Sequence, residues 1–239
     1  MKKAVIIPAR YASSRLPGKP LRLLKGKPLV QYAYEIAKNT SAHIVLVATD
    51  DKRILEAVKS FGGEAVLTSS DHPSGSDRVA EVVRDMEVDV VVNLQCDEPL
   101  LQPQLIDALF EAFKNHKVEI ATLIGPLSQQ EWIDPNIVKV VRDKEGFALY
   151  FSRAPIPYPR DGGGVKEGLY WRHIGVYAYR KETLLKITSL PPSPLELEEK
   201  LEQLRFLENG FKIFTVPSIY RSPSVDTEDD LRKVIELLP

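Results

Sequence analysis

The sequence predicts a single α/β domain of three layers, in which helices cover both faces of a mostly parallel sheet. The first observation behind this prediction is alternation, because apolar runs of strand length alternate with longer amphipathic runs in the first half of the chain. Such alternation requires crossover connections and therefore a largely parallel sheet. The second observation is size, since 239 residues with 44% hydrophobic content can form one large core. The strand-like runs are residues 4–7, 44–48, 64–67 and 88–94.

The overall composition argues against several classes of protein. A formal net charge of −1 is not that of a general nucleic-acid binder, whose surface is usually basic. Cys96 is the only cysteine, which excludes an internal disulfide and suits a reducing cytoplasm. The opening apolar run is too short for a signal peptide, and no run approaches the ~18 residues of a membrane span. We therefore expect a cytoplasmic protein without nucleic-acid or membrane partners.

Helical patterns follow the strand-like runs. Gly62 and Gly63 end the second of these helices, as glycine commonly does at helix C-termini. The run VDVVVNL, residues 88–94, is apolar on both faces, so we expect this strand at the centre of the sheet. The predicted helices are residues 28–37, 52–61, 79–86 and 102–115.

From residue 125 the alternation changes, and we expect a small β-rich insertion at about residues 125–179 of the single domain 1–239. Two strands there form a hairpin around Gly146. Ser193 and Glu196 form a capping box that predicts one helix reaching Gly210, with a leucine stripe from Leu197 to Leu207. The other predicted strands are 119–124, 137–142, 147–151, 170–179 and 211–216, and a terminal helix is predicted at 227–238.

The loop after the first strand carries three cations and predicts a polyphosphate site. Arg10, Arg15 and Lys19 stand among the small residues of the segment ARYASSRLPGK. Arginine offers a planar fork to phosphate oxygens, and small residues let backbone N–H groups approach the ligand. The segment has neither the Walker A spacing nor a G-x-G-x-x-G fingerprint, so a merely solvated basic loop is the alternative.

Two aspartates are candidate magnesium ligands. Asp97 follows the strongest strand, where an Asp-Glu-Pro turn is the plainer explanation. A carboxylate that faces a phosphate loop would repel the phosphates unless a hard cation lay between them. Asp226 has an alternative role as the cap of the terminal helix, although Thr227 with Asp230 could cap it instead. Ligands of open α/β sheets bind beyond the carboxyl ends of the strands. The loop of Arg10 and the loop of Asp97 therefore meet if the first and fourth strands are neighbours.

Other polar residues have a structural explanation as well as a functional one. Arg78 could be an exposed residue of a first helical turn, and His173 on an alternating strand could be an ordinary core histidine. Glu202 and Gln203 would lie on the solvated face of their helix, opposite the leucines. Cys96 is better explained as a small packed side chain than as a nucleophile, because a catalytic thiol needs a base beside it.

Several segments resemble one family. The opening IPARYASSRLPGKPL closely resembles the start of the 3-deoxy-manno-octulosonate cytidylyltransferases, which activate an eight-carbon acidic sugar with CTP. LQCDEP resembles their Q-G-D-E-P motif, with Cys96 in place of the usual glycine, and HPSGSDR matches their H-x-S-G-[ST]-[DE]-R. SPSVDTEDDL, YFSRAPIPYPR, RHIGVYAYR and PSPLELEEKLEQLRFLENG resemble further family segments, whereas residues 161–168 show no clear match. The resemblance implies the Rossmann-like fold of the nucleotide-sugar-activating nucleotidyltransferases.

The resemblance also implies a reaction and its residues. The anomeric hydroxyl of the sugar would attack the α-phosphorus of CTP, giving pyrophosphate and a CMP-sugar for lipopolysaccharide synthesis. Two magnesium ions would bind Asp97 and Asp226. The catalytic residues would be Arg10, Arg15, Lys19, Asp97 and Asp226. CTP would contact Arg10, Ser13, Lys19, Ser74, Arg78 and Gln95, of which Arg78 and Gln95 would read the cytosine, and the sugar would contact Arg153, His173, Glu202 and Gln203.

The resemblance further implies a homodimer formed through the insertion. Aromatic residues are enriched at interfaces, and those expected to be exposed there are Tyr170, Trp171, Tyr177 and Tyr179. Three other functions stay open: a cytidylyltransferase for another acidic sugar such as a sialic acid, a metal-dependent glycosyltransferase, and a nucleotide-binding regulator without turnover. The central strand does not end in the D-x-D pattern of a glycosyltransferase, and a pure binder would not need two carboxylates in one crevice.

Overall fold

The computed structural model describes residues 1–12, 16–219 and 224–238 of the chain. Its strands are β1 Lys3–Ala9, β2 Leu23–Leu24, β3 Lys27–Pro28, β4 Ile44–Thr49, β5 Ala65–Leu67, β6 Val90–Asn93, β7 Ile120–Pro126, β8 Lys139–Arg142, β9 Ala148–Ser152, β10 Trp171–Arg180 and β11 Ile213–Pro217. Its helices are α1 Leu29–Lys38, α2 Lys52–Ser60, α3 Gly75–Val83, α4 Pro103–Ala112, α5 Gln129–Ile133, α6 Lys181–Ile187, α7 Pro194–Glu199, α8 Gln203–Glu208 and α9 Glu228–Leu237. None of the helices in these three ranges is both long enough and apolar enough to cross a bilayer.

The main sheet runs in the order β11-β7-β10-β6-β1-β4-β5. The strand predicted to be central is β6, and it lies in the middle of this path. It pairs in parallel with β1, so the first and fourth predicted strands are neighbours. Four of the six pairings along the path are parallel, and β10 makes both antiparallel ones. The predicted α/β class with a mostly parallel sheet is confirmed.

Helices cover both faces of the sheet because both faces are apolar. On one face, α1, α2 and α4 contribute Val30, Ile54 and Phe110 to a single core cluster. On the other face, α3 and α6 contribute Val79 and Leu184 to a second cluster. Strand β6 supplies valines to both clusters, since successive side chains of a strand point to opposite faces. The three predicted layers are therefore present.

The C-terminal part of the predicted insertion belongs to the main sheet. Strand β10 lies between β6 and β7 and pairs with both. Tyr179 is 1% exposed and Tyr170 is 4% exposed, while Trp171 and Tyr177 are half-buried. The prediction that these aromatics are exposed on strands beyond the sheet is therefore wrong. The predicted hairpin is present as β8 and β9, and β8 joins it to β10.

The helix predicted from residue 193 to Gly210 is divided in two. The capping box of Ser193 and Glu196 is present and begins α7. Lys200 then takes a left-handed conformation with φ of 54°, which ends α7 before α8 begins. The break leaves Leu197 54% exposed although Leu201 is only 6% exposed. The prediction of one continuous leucine stripe is wrong.

Candidate active site

Two aspartates that are far apart in sequence meet one lysine at the carboxyl edge of the sheet. Because β1 and β6 run parallel and side by side, the loops that follow them open at the same edge. Lys19 Nζ lies 3.0 Å from Asp97 Oδ2 and 3.0 Å from Asp226 Oδ1. The backbone N–H of Val225 donates to the Asp97 carbonyl at 2.8 Å and ties the C-terminal segment to the β6 loop. The crevice expected between these loops is present.

The two carboxylates act on the charge of Lys19. The side chains of Lys19, Asp97 and Asp226 are 15%, 23% and 33% exposed. Burial by itself would lower the pKa of Lys19, but the nearby carboxylate charges outweigh burial and raise the pKa above its ordinary value. Lys19 is therefore a cation at physiological pH. It provides a fixed positive charge at the point where the two carboxylates converge.

Asp226 does not cap the terminal helix. Thr227 is the N-cap of α9, and its hydroxyl accepts a hydrogen bond from the backbone N–H of Asp230 at 3.2 Å. The Asp230 carboxylate accepts the backbone N–H of Thr227 in return, which completes a capping box. The Asp226 carboxylate is thus available to contact Lys19, as expected if Thr227 and Asp230 cap the helix instead.

A first cavity, of about 300 Å³, lies between the β1 and β6 loops and the start of α3. Gln95 enters it from the end of β6, and Arg10 enters it from the end of β1. Its lining residues are Pro8, Arg10, His72, Pro73, Ser74, Gly75, Arg78 and Gln95. Four of the six predicted CTP ligands therefore share this cavity. Ser13, like the predicted catalytic Arg15, lies outside the described residues.

Helix α3 begins at Gly75, four residues earlier than predicted, because Ser74 caps it. The Ser74 hydroxyl accepts the backbone N–H of Asp77 at 3.3 Å. A Cβ atom on Gly75 would lie 3.0 Å from Gln95 Nε2 and 3.2 Å from the Pro8 ring. Glycine at this position therefore lets the start of α3 approach the Gln95 amide and the end of β1.

Arg78 is buried and held by polar contacts. Its side chain is 3% exposed, so the alternative of an exposed first-turn arginine is wrong. Its Nη2 donates to Asp50 Oδ2 at 2.7 Å, and its Nη1 donates to the Thr68 hydroxyl and to the Ser69 carbonyl, the latter at 3.1 Å. These acceptors follow β4 and β5 in the sheet. The guanidinium is therefore fixed at the wall of the first cavity.

A second cavity, of about 230 Å³, lies on the other side of Gln95. Asp97 lines it, so the carboxylate that contacts Lys19 also faces this space. Its lining residues are Gln95, Asp97, Glu98, Asn136, Ile137, Val138, Arg172, His173, Ile174, Gly175 and Ser224. The sequence interpretation found His173 but missed Arg172 and Asn136. The only feature of the sequence that could have indicated Arg172 as a cavity residue is its position immediately before His173.

His173 is both a packed histidine and part of the cavity wall. Its ring lies between the rings of Phe151 and Tyr177, with centroid separations of 5.1 and 5.3 Å. Its Nε2 is 3.0 Å from the Thr122 hydroxyl. Burial, with a smaller effect from the charge of Arg172, lowers the pKa of His173 to about 3. The imidazole is therefore neutral, and a neutral imidazole can donate one hydrogen bond and accept another.

The other predicted sugar ligands have different surroundings. Arg153 donates through Nε to the Glu199 carbonyl at 2.8 Å and through Nη1 to the Pro135 carbonyl at 3.0 Å, and it lines neither cavity. Gln203 is 6% exposed, and its buried Nε2 has no hydrogen-bond partner among the described residues. Glu202 accepts hydrogen bonds from the hydroxyls of Ser74 and Ser76, and burial raises its pKa. A solvated face for Glu202 and Gln203 is wrong, because the break at residue 200 turns them inward.

Two carboxylates are the candidate metal donors at this site. Outside residues 13–15, 220–223 and 239, no group of three or more His, Cys, Asp and Glu side chains could hold a metal ion. Asp97 and Asp226 nevertheless converge on the same ammonium group. Cys96 is 5% exposed, and burial raises the pKa of its thiol to about 12. The thiol therefore stays protonated, in agreement with a packed side chain rather than a nucleophile.

Comparisons with known proteins agree with this geometry. Residues 4–213 match the family model described as cytidylyltransferase. The chain is 47% identical to 3-deoxy-manno-octulosonate cytidylyltransferase from Geobacter metallireducens, over 100% of this chain and 98% of that protein. It is 50% identical to the enzyme of the same name from Syntrophotalea carbinolica, over 98% and 97% of the two chains.

A solved structure gives the same result. The structure of CMP:2-keto-3-deoxy-manno-octonic acid synthetase complexed with CTP has a TM-score of 0.94 and 44% identity, over 99% of this chain and 98% of that one. The resemblance of the opening segment and of the later motifs thus extends over the whole fold. The chain belongs to the 3-deoxy-manno-octulosonate cytidylyltransferases, a family of nucleotidyltransferase enzymes.

Proposed function

We propose that this chain transfers CMP from CTP to 3-deoxy-D-manno-octulosonate, releasing pyrophosphate. The observation that carries the proposal is the convergence of Lys19, Asp97 and Asp226 beside two cavities that share Gln95. Transfer of a nucleotidyl group needs two substrate sites that meet at a phosphate-binding centre. The names of the relatives and the CTP bound in the related structure support the same substrates.

The first cavity would take the nucleoside part of CTP. Arg78 is a fixed planar donor and Gln95 offers an amide, which together match the acceptors and the exocyclic amine of cytosine. Ser74 and Arg10 line the same wall towards the β1 loop. The triphosphate would lie along that loop, against Arg10 and Lys19. Ser13 and Arg15 stay predicted phosphate ligands.

The second cavity would take the acidic sugar. His173 supplies a neutral hydrogen-bonding ring to the wall of this cavity. Gln203 does not line it, but the buried Gln203 amide has no hydrogen-bond partner among the described residues, so Gln203 stays a predicted sugar ligand. Arg172 adds a cationic side chain to the same cavity, where a sugar carboxylate would need one. Arg153 and Glu202 stay predicted sugar ligands, and their present contacts suit a role in holding the surrounding segments. A sialic acid cytidylyltransferase is the alternative that the experiment below excludes or supports.

Asp97 and Asp226 would hold magnesium, and we expect two ions. Their carboxylate oxygens are the hard donors that this cation prefers, and substrate phosphates normally complete its coordination. The position of the Lys19 ammonium between them indicates that the pair attracts a cation. Bound magnesium would supply charge neutralisation for the triphosphate and the departing pyrophosphate. Lys19 adds a permanent positive charge for the same oxygens.

Pyrophosphate release is the measurement that tests the proposed function. The purified protein is given CTP and magnesium with 3-deoxy-D-manno-octulosonate, with a sialic acid, or with no sugar. We expect release only with the eight-carbon sugar. Release with sialic acid alone would support the alternative enzyme. If calorimetry showed CTP binding but no acidic sugar led to pyrophosphate release, the result would support the nucleotide-binding regulator and contradict our proposal.

We also propose a homodimer formed through residues 125–179. The buried aromatics no longer support it, but this segment has large apolar side chains that are exposed, which is common at protein interfaces. They are Ile133, Leu149, Tyr158 and Leu169. Sedimentation should give twice the chain mass of 26.9 kDa, and a single-chain particle at micromolar concentration would contradict the dimer. We place the reaction in the cytoplasm, because the buried thiol of Cys96 suits a reducing compartment.

A further inference from the structure

The ion pair between Asp50 and Arg78 lies at the edge of the first cavity. Asp50 directly follows β4, and Arg78 lies in the first turn of α3. The side chains are 15% and 3% exposed, and the Nη2-to-Oδ2 distance is 2.7 Å. Arg78 lines the cavity, whereas Asp50 does not. Asp50 therefore acts on the cavity only through the guanidinium that it holds.

Three acceptors act on this guanidinium from two strand ends. Asp50 engages Nη2, while the Thr68 hydroxyl and the Ser69 carbonyl engage Nη1. Thr68 is itself tied to β4, because its backbone N–H donates to the Thr49 carbonyl at 2.8 Å. Since the guanidinium is planar, acceptors on two of its nitrogens fix the orientation of the whole group. The plane of Arg78 is thus set by the sheet rather than by α3 alone.

We propose that Asp50 is a positioning residue for nucleobase selection, because it holds Arg78 in the orientation that discriminates cytosine from uracil. The inference rests on the proposed function, in which the first cavity takes the nucleoside. A rigid buried donor rejects a base with the wrong pattern of acceptors, since the mismatch leaves buried polar groups unpaired. An arginine free to turn would adapt to either base. Removing the charge of Asp50 would also leave a buried cation without its counter-charge.

The test is a comparison of kcat and KM for CTP and UTP in wild type and in Asp50→Asn. We expect the CTP-to-UTP ratio of kcat/KM to fall about 10-fold, the loss expected when a hydrogen bond to a charged group is weakened. The KM for CTP should rise while kcat at saturating CTP changes little. If Asp50 only stabilised the fold, the variant would have a lower kcat and a lower thermal stability, but its CTP-to-UTP ratio of kcat/KM (the base ratio) would be unchanged.

Asp51→Asn is the matched control. Asp51 is the next residue, but its carboxylate caps α2 and pairs with Arg53 instead of Arg78. The control should lose some stability and keep the base ratio of wild type. If Asp50→Asn does not fold, Thr68→Val removes the side-chain acceptor of Nη1 and leaves only the Ser69 carbonyl, whereas Thr68→Ser keeps both acceptors. Thr68→Val should then lower the base ratio, and Thr68→Ser should preserve it.

The outcomes separate this inference from the proposed function. A wild-type protein that uses UTP as well as CTP, or neither, contradicts the assignment of the first cavity to cytidine. If wild type is selective for CTP and folded Asp50→Asn has the same CTP-to-UTP ratio, only the role of Asp50 is overturned. If Asp50→Asn does not fold, an unchanged ratio in Thr68→Val leads to the same conclusion. Equal loss of the ratio in Asp51→Asn would likewise overturn it.

Discussion

Glu202 accepts a hydrogen bond from the Ser74 hydroxyl at 2.8 Å, although 128 positions separate the two residues. Its other carboxylate oxygen accepts the Ser76 hydroxyl at the same distance. Ser74 caps the helix that carries Arg78, and Glu202 directly precedes Gln203 at the start of α8. A single carboxylate therefore joins the wall of the first cavity to the start of α8. Under the proposed function, Glu202 would connect recognition of the base with recognition of the sugar.

The first prediction concerns that connection. Glu202→Gln should raise the KM for both CTP and the sugar, because a neutral amide binds the two serine hydroxyls more weakly than a carboxylate does. Gln203→Ala should raise only the KM for the sugar, by roughly 10- to 150-fold if a hydrogen bond to a charged group is lost. Two substrate titrations on each variant provide the measurement. An effect of Glu202→Gln on one substrate alone would contradict the connection.

The second prediction concerns the aspartate pair. Asp97→Asn and Asp226→Asn should each reduce turnover by at least about 100-fold, because each removes a charge from the centre that we propose holds the phosphates and magnesium. Circular dichroism should show an unchanged fold, and chelation of magnesium should abolish wild-type activity. Asp229→Asn on the exposed side of α9 is the control and should keep activity. Full activity in either site variant would exclude that residue as a metal ligand.

The third prediction concerns the loop that carries Lys19. Gly18 has φ of +67°, and an added Cβ would lie 3.2 Å from the Tyr11 ring. Gly18→Ala should lower kcat/KM for CTP by about 10-fold or more, since misplacing a binding group by about 1 Å can cost 100-fold. Gly26→Ala is the matched control, because it has φ of +86° and open space around it. Both variants should lose about 1–2 kcal/mol of stability to backbone strain, and only Gly18→Ala should affect CTP.

Equal loss of CTP use in the two glycine variants would mean that general strain is the cause. Unchanged CTP use in Gly18→Ala would show that the contact with Tyr11 does not position the phosphate loop. Thermal denaturation and CTP titration on the same preparations distinguish these results.

The fourth prediction concerns pH. Burial lowers the pKa of His173 from 6.5 to about 3, so the unfolded chain binds a proton there at pH values where the folded protein does not. The stabilising contribution is therefore fully present above pH 6.5 and is lost as the pH falls towards 3. Its slope is at most about 1.4 kcal/mol per pH unit. His173→Gln should flatten the fall in unfolding free energy between pH 7.5 and pH 5, as measured by urea denaturation.

His116→Gln is the control for this experiment, because His116 is exposed. It should leave the pH dependence of stability unchanged. A histidine NMR signal assigned to residue 173 that titrated near pH 6.5 would contradict the buried neutral ring.

Features that depend on neighbours within four residues were predictable from the sequence. The capping boxes at Ser193 and at Thr227 are present, because such a cap involves only residues three positions apart. The strand β6 was predictable as central, because an apolar run on both faces can be buried only between other strands and two helical layers. The opening motif indicated the family, and the later segments LQCDEP and SPSVDTEDDL predicted Asp97 and Asp226 as a pair.

The sequence by itself therefore determined the class of fold and the family, and it predicted the two carboxylates that meet at Lys19. The tertiary structure decided how the candidate site is held. Strand β10 pairs with β6 and β7, partners distant in the chain that no local pattern specifies. Lys200 breaks a helix that its leucines favoured, and Glu202 thereby reaches Ser74. Arg78 can be buried because Asp50, which follows β4, compensates its charge. Burial and long-range strand pairing depend on contacts throughout the fold, whereas periodicity and capping depend only on residues that are close in the chain.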